Sequence, residues 1–156
     1  MPAQPFAIEE YVRWSDVDRA GIIFYGAYVR FFEIAETEMF RAAGLPYGTR
    51  FEQLSIWLPR AHFDCDFMYP ARLDDRLRVV TYVSRFGTTS LTLNFDVWHL
   101  DASRLAAAAR EVLVCTDRVS LVPTPVPAAL RSALAPFFFS EQVARHASAS
   151  AAGTPA

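Results

Sequence analysis

The chain has 156 residues, 53% of them hydrophobic and 21% charged, which suits one folded domain and excludes a wholly disordered chain. A net charge of −2 argues against a general nucleic-acid binder, and no apolar run is long enough for a transmembrane helix. All 15 basic residues are Arg, so any phosphate must be met by guanidinium groups, hydroxyls or backbone amides. The 13 Phe ask for a deep core, an oligomer interface or an apolar pocket.

Met1 to Glu10 lacks the basic start and apolar run of a signal peptide. Cys65 and Cys115 lie in apolar, strand-like segments and read as reduced, buried thiols of a cytoplasmic protein. His62, His99 and His146 are scattered, so no zinc site is expected and no cofactor is called for.

In chain order, residues 8–14 read as a strand leading into a loop. Tyr28 to Ala43 reads as a helix, with Tyr28, Phe31, Phe32, Ala35 and Met39 on one apolar face and Arg30, Glu33, Thr37 and Arg41 on a polar one. Gly44 and Pro46 stop it. From Arg60 to Phe67 the period changes to two, with Ala61, Phe63, Cys65 and Phe67 facing one way and Arg60, His62, Asp64 and Asp66 the other. After a turn at Pro70–Asp75, Arg76 to Phe86 is a strand and Gly87 a hairpin turn. Leu91, Leu93, Phe95 and Val97 mark the cleanest strand, and Leu105 to Val119 reads as one long final strand. A short helix is expected over Ala128–Ala135. Residues 1–140 are therefore expected to form a single domain, and the small, polar residues 141–156 a disordered tail.

One long helix among consecutive antiparallel strands predicts an α+β fold, a sheet of about five strands wrapped around the helix, which is the hotdog architecture. Apolar side chains on the other sheet face suggest a homo-oligomer.

Chemistry concentrates in the loop before the helix. Asp16 and Asp18 stand two residues apart, followed by Gly21 and four bulky apolar residues. A carboxylate beside apolar surface is partly desolvated and suits a base or nucleophile. The nearby helix start offers unpaired amides for an oxyanion. Together these suggest hydrolysis of an activated carbonyl; the alternative is that either Asp merely caps a turn.

The segment WSDVDRAGIIFYGAYVRFFEIAE closely resembles the signature of the 4-hydroxybenzoyl-CoA thioesterase family of hotdog enzymes, and the resemblance continues through GLP and FMYPARLDDRLRV to about Val119. It implies that Asp18 is the catalytic carboxylate and Asp16 structural. The Tyr25 backbone amide, helped by that of Gly26, would polarise the thioester carbonyl. Short-chain relatives carry His where this chain has Tyr25, so the resemblance tilts towards an aromatic acyl group of benzoyl or hydroxybenzoyl type. Ala27 stands where relatives carry a polar Asn or Ser.

The acyl group would meet Glu33, Trp57, Leu58, Pro59 and Arg60. For Glu33 a helix salt bridge with Arg30 or Arg41 is the alternative, and for Trp57–Pro59 ordinary core packing. CoA would meet the hairpin at Arg85, Thr88, Thr89 and Ser90, with Arg60 or Arg72 of a neighbouring subunit contributing. The resemblance implies acyl-CoA as substrate and a homo-oligomer of site-sharing dimers, expected as a tetramer, with no nucleic acid or membrane as partner. The competing readings are a short-chain aliphatic thioesterase, a dehydratase or hydratase, and a non-catalytic acyl-CoA-binding protein. The dehydratase needs a His that residues 1–60 do not supply.

Overall fold

The Leu91-Leu93-Phe95-Val97 alternation lies at the centre of a five-stranded antiparallel sheet in the computed structural model, which describes residues 4–153. The strands are β1 (Phe6–Tyr11), β3 (Arg60–Phe67), β4 (Arg76–Phe86), β5 (Ser90–His99) and β6 (Arg104–Val114), in the order β1-β4-β5-β6-β3. Helix α1 (Tyr28–Ala42) lies in the concave face and buries Phe31, Phe32, Ala35, Met39 and Phe40 against inward residues of β4, β5 and β6. This is the expected hotdog arrangement. Gly44, at φ +74, closes α1, where the Leu45 amide donates to the Phe40 carbonyl at 2.8 Å.

Four expectations change. The first strand, expected over residues 8–14, is β1 and ends at Tyr11, and Trp14–Asp16 form a 3₁₀ turn. Helix α2 (Tyr47–Leu54) follows α1, starting after Pro46 and ending at Ser55 in the left-handed region. Its Tyr47 and Phe51, one turn apart, stack at 4.9 Å. The final strand is not continuous to Val119. It breaks at Cys115, and β7 (Thr116–Asp117) leaves the main sheet to pair with β2 (Ile56–Trp57). The short helix near the C-terminus is α3 (Ala128–Leu134).

The largest correction concerns residues 141–156. Glu141–Ala152 form helix α4, not a disordered tail; residues 154–156 lie outside the described residues, as do residues 1–3. A small, polar composition suggests disorder, but Ala is the strongest helix former. Ser140 caps the helix by accepting from the Val143 amide, with Glu141 in the first turn. Ala144, Ser148 and Ala152, four apart, let α4 lie close to the outer sheet face, where Val80, Tyr82, Trp98 and Phe139 are buried. The apolar outer face is thus partly covered by the chain itself and does not by itself call for a second copy.

Asp96 on that face is 1% exposed, and Arg145 of α4 reaches it at 3.3 Å. Burial pushes the Asp96 carboxyl above the ordinary Asp range, and Arg145 opposes this. Ending the chain at Ser140 removes the cation and uncovers the aromatics. The expected result is a loss of at least about 2 kcal/mol in urea unfolding together with binding of a hydrophobic dye. An unchanged midpoint would mean that α4 does not hold this face.

Candidate active site

Residues 12–27 are folded by their own polar groups before any ligand is considered. Asp16 is buried and accepts from the Arg13 amide at 2.8 Å and from Arg30 of α1 at 3.0 Å (Nε) and 2.5 Å (Nη2). It ties the loop to the helix. Asp18 opens a tight turn: its amide donates to the Ile22 carbonyl at 3.0 Å, and its carbonyl accepts from Gly21 at 3.0 Å. Gly21 sits at φ +76, a conformation that favours glycine. Asp18 Oδ1 accepts from the Ala20 amide at 2.8 Å, so the turn-capping role is present. Among the described residues its second oxygen takes no hydrogen bond.

The Asp18 side chain also lines a cavity of about 380 Å³, walled by Ile22, Phe24 and Tyr25 from the loop, Tyr28 of α1, and Phe67 and Tyr69 from the end of β3. Capping and lining the cavity are therefore both true of this residue. Tyr25–Ala27 form a 3₁₀ turn that runs into α1, and its first bond runs from the Ala27 amide to the Phe24 carbonyl at 3.0 Å. The Tyr25 and Gly26 amides precede that bond and have no acceptor within the helix. Tyr25 lines the cavity and is 79% exposed, so it stands at the cavity's open rim. A Cβ at Gly26 would come within 2.9 Å of the Phe24 ring, so a larger residue there has to displace that ring. Burial, with the Cys65 thiol nearby, pushes the Tyr28 phenol up to about 12, so it stays neutral and is no base. No His lines this cavity.

Glu33 and Trp57–Arg60 come together elsewhere in the same chain. Two adjoining cavities of about 530 Å³ and 410 Å³ share Glu36, Tyr47 and Arg60. The first is lined by Glu33, Phe32, Phe63 and Glu111, the second by Trp57, Leu58, Pro59 and Phe51. Glu33 forms neither expected salt bridge: Arg30 is held by Asp16 and Glu10, and Arg41 by Glu38. Trp57 lies under the Arg118 guanidinium at 4.5 Å.

Arg60 differs from expectation. Alternation placed it on the outer face with His62, but the pairing of β3 with β6 shifts between Arg60 and His62. One extra residue flips the strand's facing, so Arg60 aligns with Leu113 and turns inward. There its Nη2 meets both oxygens of buried Glu36 at 2.5 Å, and its Nε lies 3.7 Å from Glu111. Tyr47 donates to the same Glu36 carboxylate. Arg60 is thus committed to two carboxylates and is not a free cation for a phosphate. Glu36, Tyr47 and Glu111 were not singled out from sequence, yet the two acids each break a pattern. Glu36 is an acid on a buried helix face, and Glu111 stands at an inward position of β6 between Ala109 and Leu113.

The hairpin at Arg85–Ser90 is at the other end of the sheet. Asp18 lies near the start of β4, where the Val12 amide bonds the Asp75 carbonyl, and the hairpin follows about 33 Å later at ~3.3 Å per residue. Arg85 is exposed, and α3 adds Arg131, which donates to the Gly87 and Thr88 carbonyls. Arg72 lies instead beside the Asp18 loop, its guanidinium 3.9 Å from where a Gly21 Cβ would be. Within one chain, Asp18 and the hairpin do not meet. Among the described residues no three His, Cys, Asp or Glu side chains converge to hold a metal ion, and no helix is long and apolar enough to cross a membrane.

Residues 12–134 match the thioesterase-like superfamily. The acyl-CoA thioester hydrolase YbgC of Escherichia coli O157:H7 is 29% identical over 121 residues, spanning 74% of this chain and 85% of its own. The 1,4-dihydroxy-2-naphthoyl-CoA hydrolase of Thermosynechococcus vestitus is 26% identical over 136 residues, spanning 83% and 92%. The crystal structure of Slr0204, a 1,4-dihydroxy-2-naphthoyl-CoA thioesterase from Synechocystis, superposes with a TM-score of 0.77 at 22% identity, over 83% of this chain and 95% of its own, a likeness of fold.

Proposed function

The chain belongs to the thioesterase-like superfamily, and on that premise we propose that it hydrolyses the thioester of an acyl-CoA, of the benzoyl- or hydroxybenzoyl-CoA type, to the free acid and CoA. The observation that carries the reading is the cavity in which the Asp18 carboxylate and the Tyr25 turn share one wall, with aromatic side chains around them. The Tyr25 amide, assisted by Gly26, polarises the thioester oxygen. Asp18 either takes a proton from an attacking water or attacks the carbonyl carbon itself. In the second route the C–S bond breaks, CoA leaves as thiolate and is protonated, and water opens the mixed anhydride. The absence of an imidazole from the cavity wall leaves Asp18 as its base or nucleophile.

The complete site is built between two copies. Asp18 and the hairpin with Arg85, Thr88, Thr89 and Ser90 are at opposite ends of one sheet, so one CoA thioester meets both only if a second chain brings its hairpin round. Strand β3 supports this: it is one of the sheet's two edges, largely exposed, with Phe63 and Phe67 open on its inner side.

Thiol release from benzoyl-CoA, measured beside a straight-chain acyl-CoA series, tests the reading. Faster release from the aromatic thioester is expected. Equal or better turnover of short aliphatic substrates overturns the aromatic preference, and binding without turnover overturns the enzyme.

A further inference from the structure

Three acids and one guanidinium meet at the 530 Å³ cavity: Glu33 and Glu36 of α1, Glu111 of β6, and Arg60 of β3. Glu36 is satisfied, because Arg60 and Tyr47 both donate to it. The other two acids are not. Glu33 has no ion pair or hydrogen bond among the described residues. Glu111 is 6% exposed, its Oε1 has no hydrogen-bond partner among the described residues, and Arg60 approaches only its other oxygen, at 3.7 Å. Its neighbours across the sheet, Phe63 on β3 and Leu93 on β5, are apolar and offer no side-chain donor. The cavity is therefore short of a cation, and a proton stands in for it: burial, and then the charge of Glu36, push the Glu111 carboxyl up to about 8. Phe32, Phe63 and Tyr47 complete the wall, and aromatic rings accept a cation where they repel an anion.

We propose that this cavity binds an alkylammonium group, a cation on an apolar stem, whose N–H donors serve Glu111 Oε1 and the Glu33 carboxylate. As the cation enters, the Glu111 proton leaves to solvent, so one positive charge replaces another. Glu36 and Arg60 stay paired and cancel each other. An anionic group finds no free cation here, and a neutral alcohol cannot displace the proton. The ammonium is either the end of an acyl group or a separate amine. The first source rests on the thioesterase reading; the binding site itself does not.

Calorimetry on the full-length protein compares pentylamine with pentan-1-ol, equal in length and different in charge. An alkylamine, like the lysine side chain at about 10.4, stays protonated from pH 6 to pH 9. At pH 8.5 the amine is expected to bind at least about tenfold more tightly than the alcohol. At lower pH each bound cation must expel a proton, so amine affinity should rise about tenfold per pH unit up to about 8 and then level off. Glu111→Gln, of similar shape but without the charge, should lower amine affinity about tenfold at pH 8.5 and abolish the pH step. Equal binding of amine and alcohol to the wild type, an amine affinity that does not rise with pH, or one unchanged in a folded Glu111→Gln overturns the proposal. The second arm compares kcat/KM for 6-aminohexanoyl-CoA and hexanoyl-CoA. Tyr28 lines the Asp18 cavity and Glu33 this one, roughly 7.5 Å apart along α1, and six bonds of an extended chain span about 7 Å. A preference for the amino substrate that is lost in Glu111→Gln makes the ammonium the end of the acyl group. Amine binding with equal turnover of the two makes it a separate ligand, and both results support the site. Amine binding without hydrolysis of any acyl-CoA supports the site and overturns the thioesterase reading, whereas hydrolysis without amine binding overturns the site alone.

Discussion

Replacing Asp18 by Asn is expected to lower kcat for an aromatic acyl-CoA by about 10³-fold or more while leaving the melting temperature nearly unchanged. The two outcomes separate because Asp18 makes two kinds of contact. Its Oδ1 accepts from the Ala20 amide, and Asn has an oxygen that makes the same bond and suits the same turn. What Asn lacks is a charge: it neither takes a proton from water nor forms an anhydride. Asp16→Asn gives the opposite pattern. It weakens the pair with Arg30 and the bond from Arg13, so stability falls first and activity follows through the displaced loop. A near wild-type rate in Asp18→Asn sinks the assignment, and an equal stability loss in both variants reduces Asp18 to a turn cap. Single-turnover hydrolysis in ¹⁸O water then divides the two routes, since label enters Asp18 only if it is the nucleophile.

What sequence conveyed, and what it did not, follows from the range of the interactions. The period-two runs and the helix over Tyr28–Ala42 are local patterns, and the sheet and its buried helix follow from them. The proximity of Asp18 to Tyr25 was equally legible, because both lie in one short loop held by its own backbone bonds. Arg60 was misplaced because a bulge carries no side-chain signature, and one inserted residue reverses every facing before it. The continuous reading of Leu105–Val119 failed for a related reason: propensity does not record which sheet a strand joins. Residues 141–156 resemble a disordered tail in composition alone, which does not register the helix cap at Ser140. Glu36 and Glu111 each interrupt an apolar face in its own period. That signal was present, but their meeting across 75 positions of chain is a property of the fold alone.

The same meeting makes Arg60 the side chain whose loss should destabilise the protein most. Glu36 is 3% exposed, and its charge is balanced by one guanidinium. Arg60→Met keeps much of the buried stem but leaves that carboxylate without a cation, for which about 3–5 kcal/mol is expected. For a chain of this size that is roughly a 10 °C fall in melting temperature. The loss should depend on pH with a definite sign. Glu111, whose folded pKa is raised to about 8 from 4.5, holds its proton in the folded state where the unfolded chain has released it. Stability from such a group is fully present below pH 4.5 and is lost as pH rises through about 8. Removing Arg60 withdraws the one cation that opposes this shift, so Glu111 holds its proton to higher pH in Arg60→Met, and the gap to wild type should widen as pH rises through about 8. Adding Glu36→Gln to Arg60→Met removes the uncompensated charge but keeps an acceptor for the Tyr47 hydroxyl, and should restore much of the loss. Urea unfolding of the wild type and the two variants on both sides of pH 8 checks the account. A gap that stays constant with pH, or a double variant no more stable than Arg60→Met, would mean that Arg60 contributes packing rather than charge.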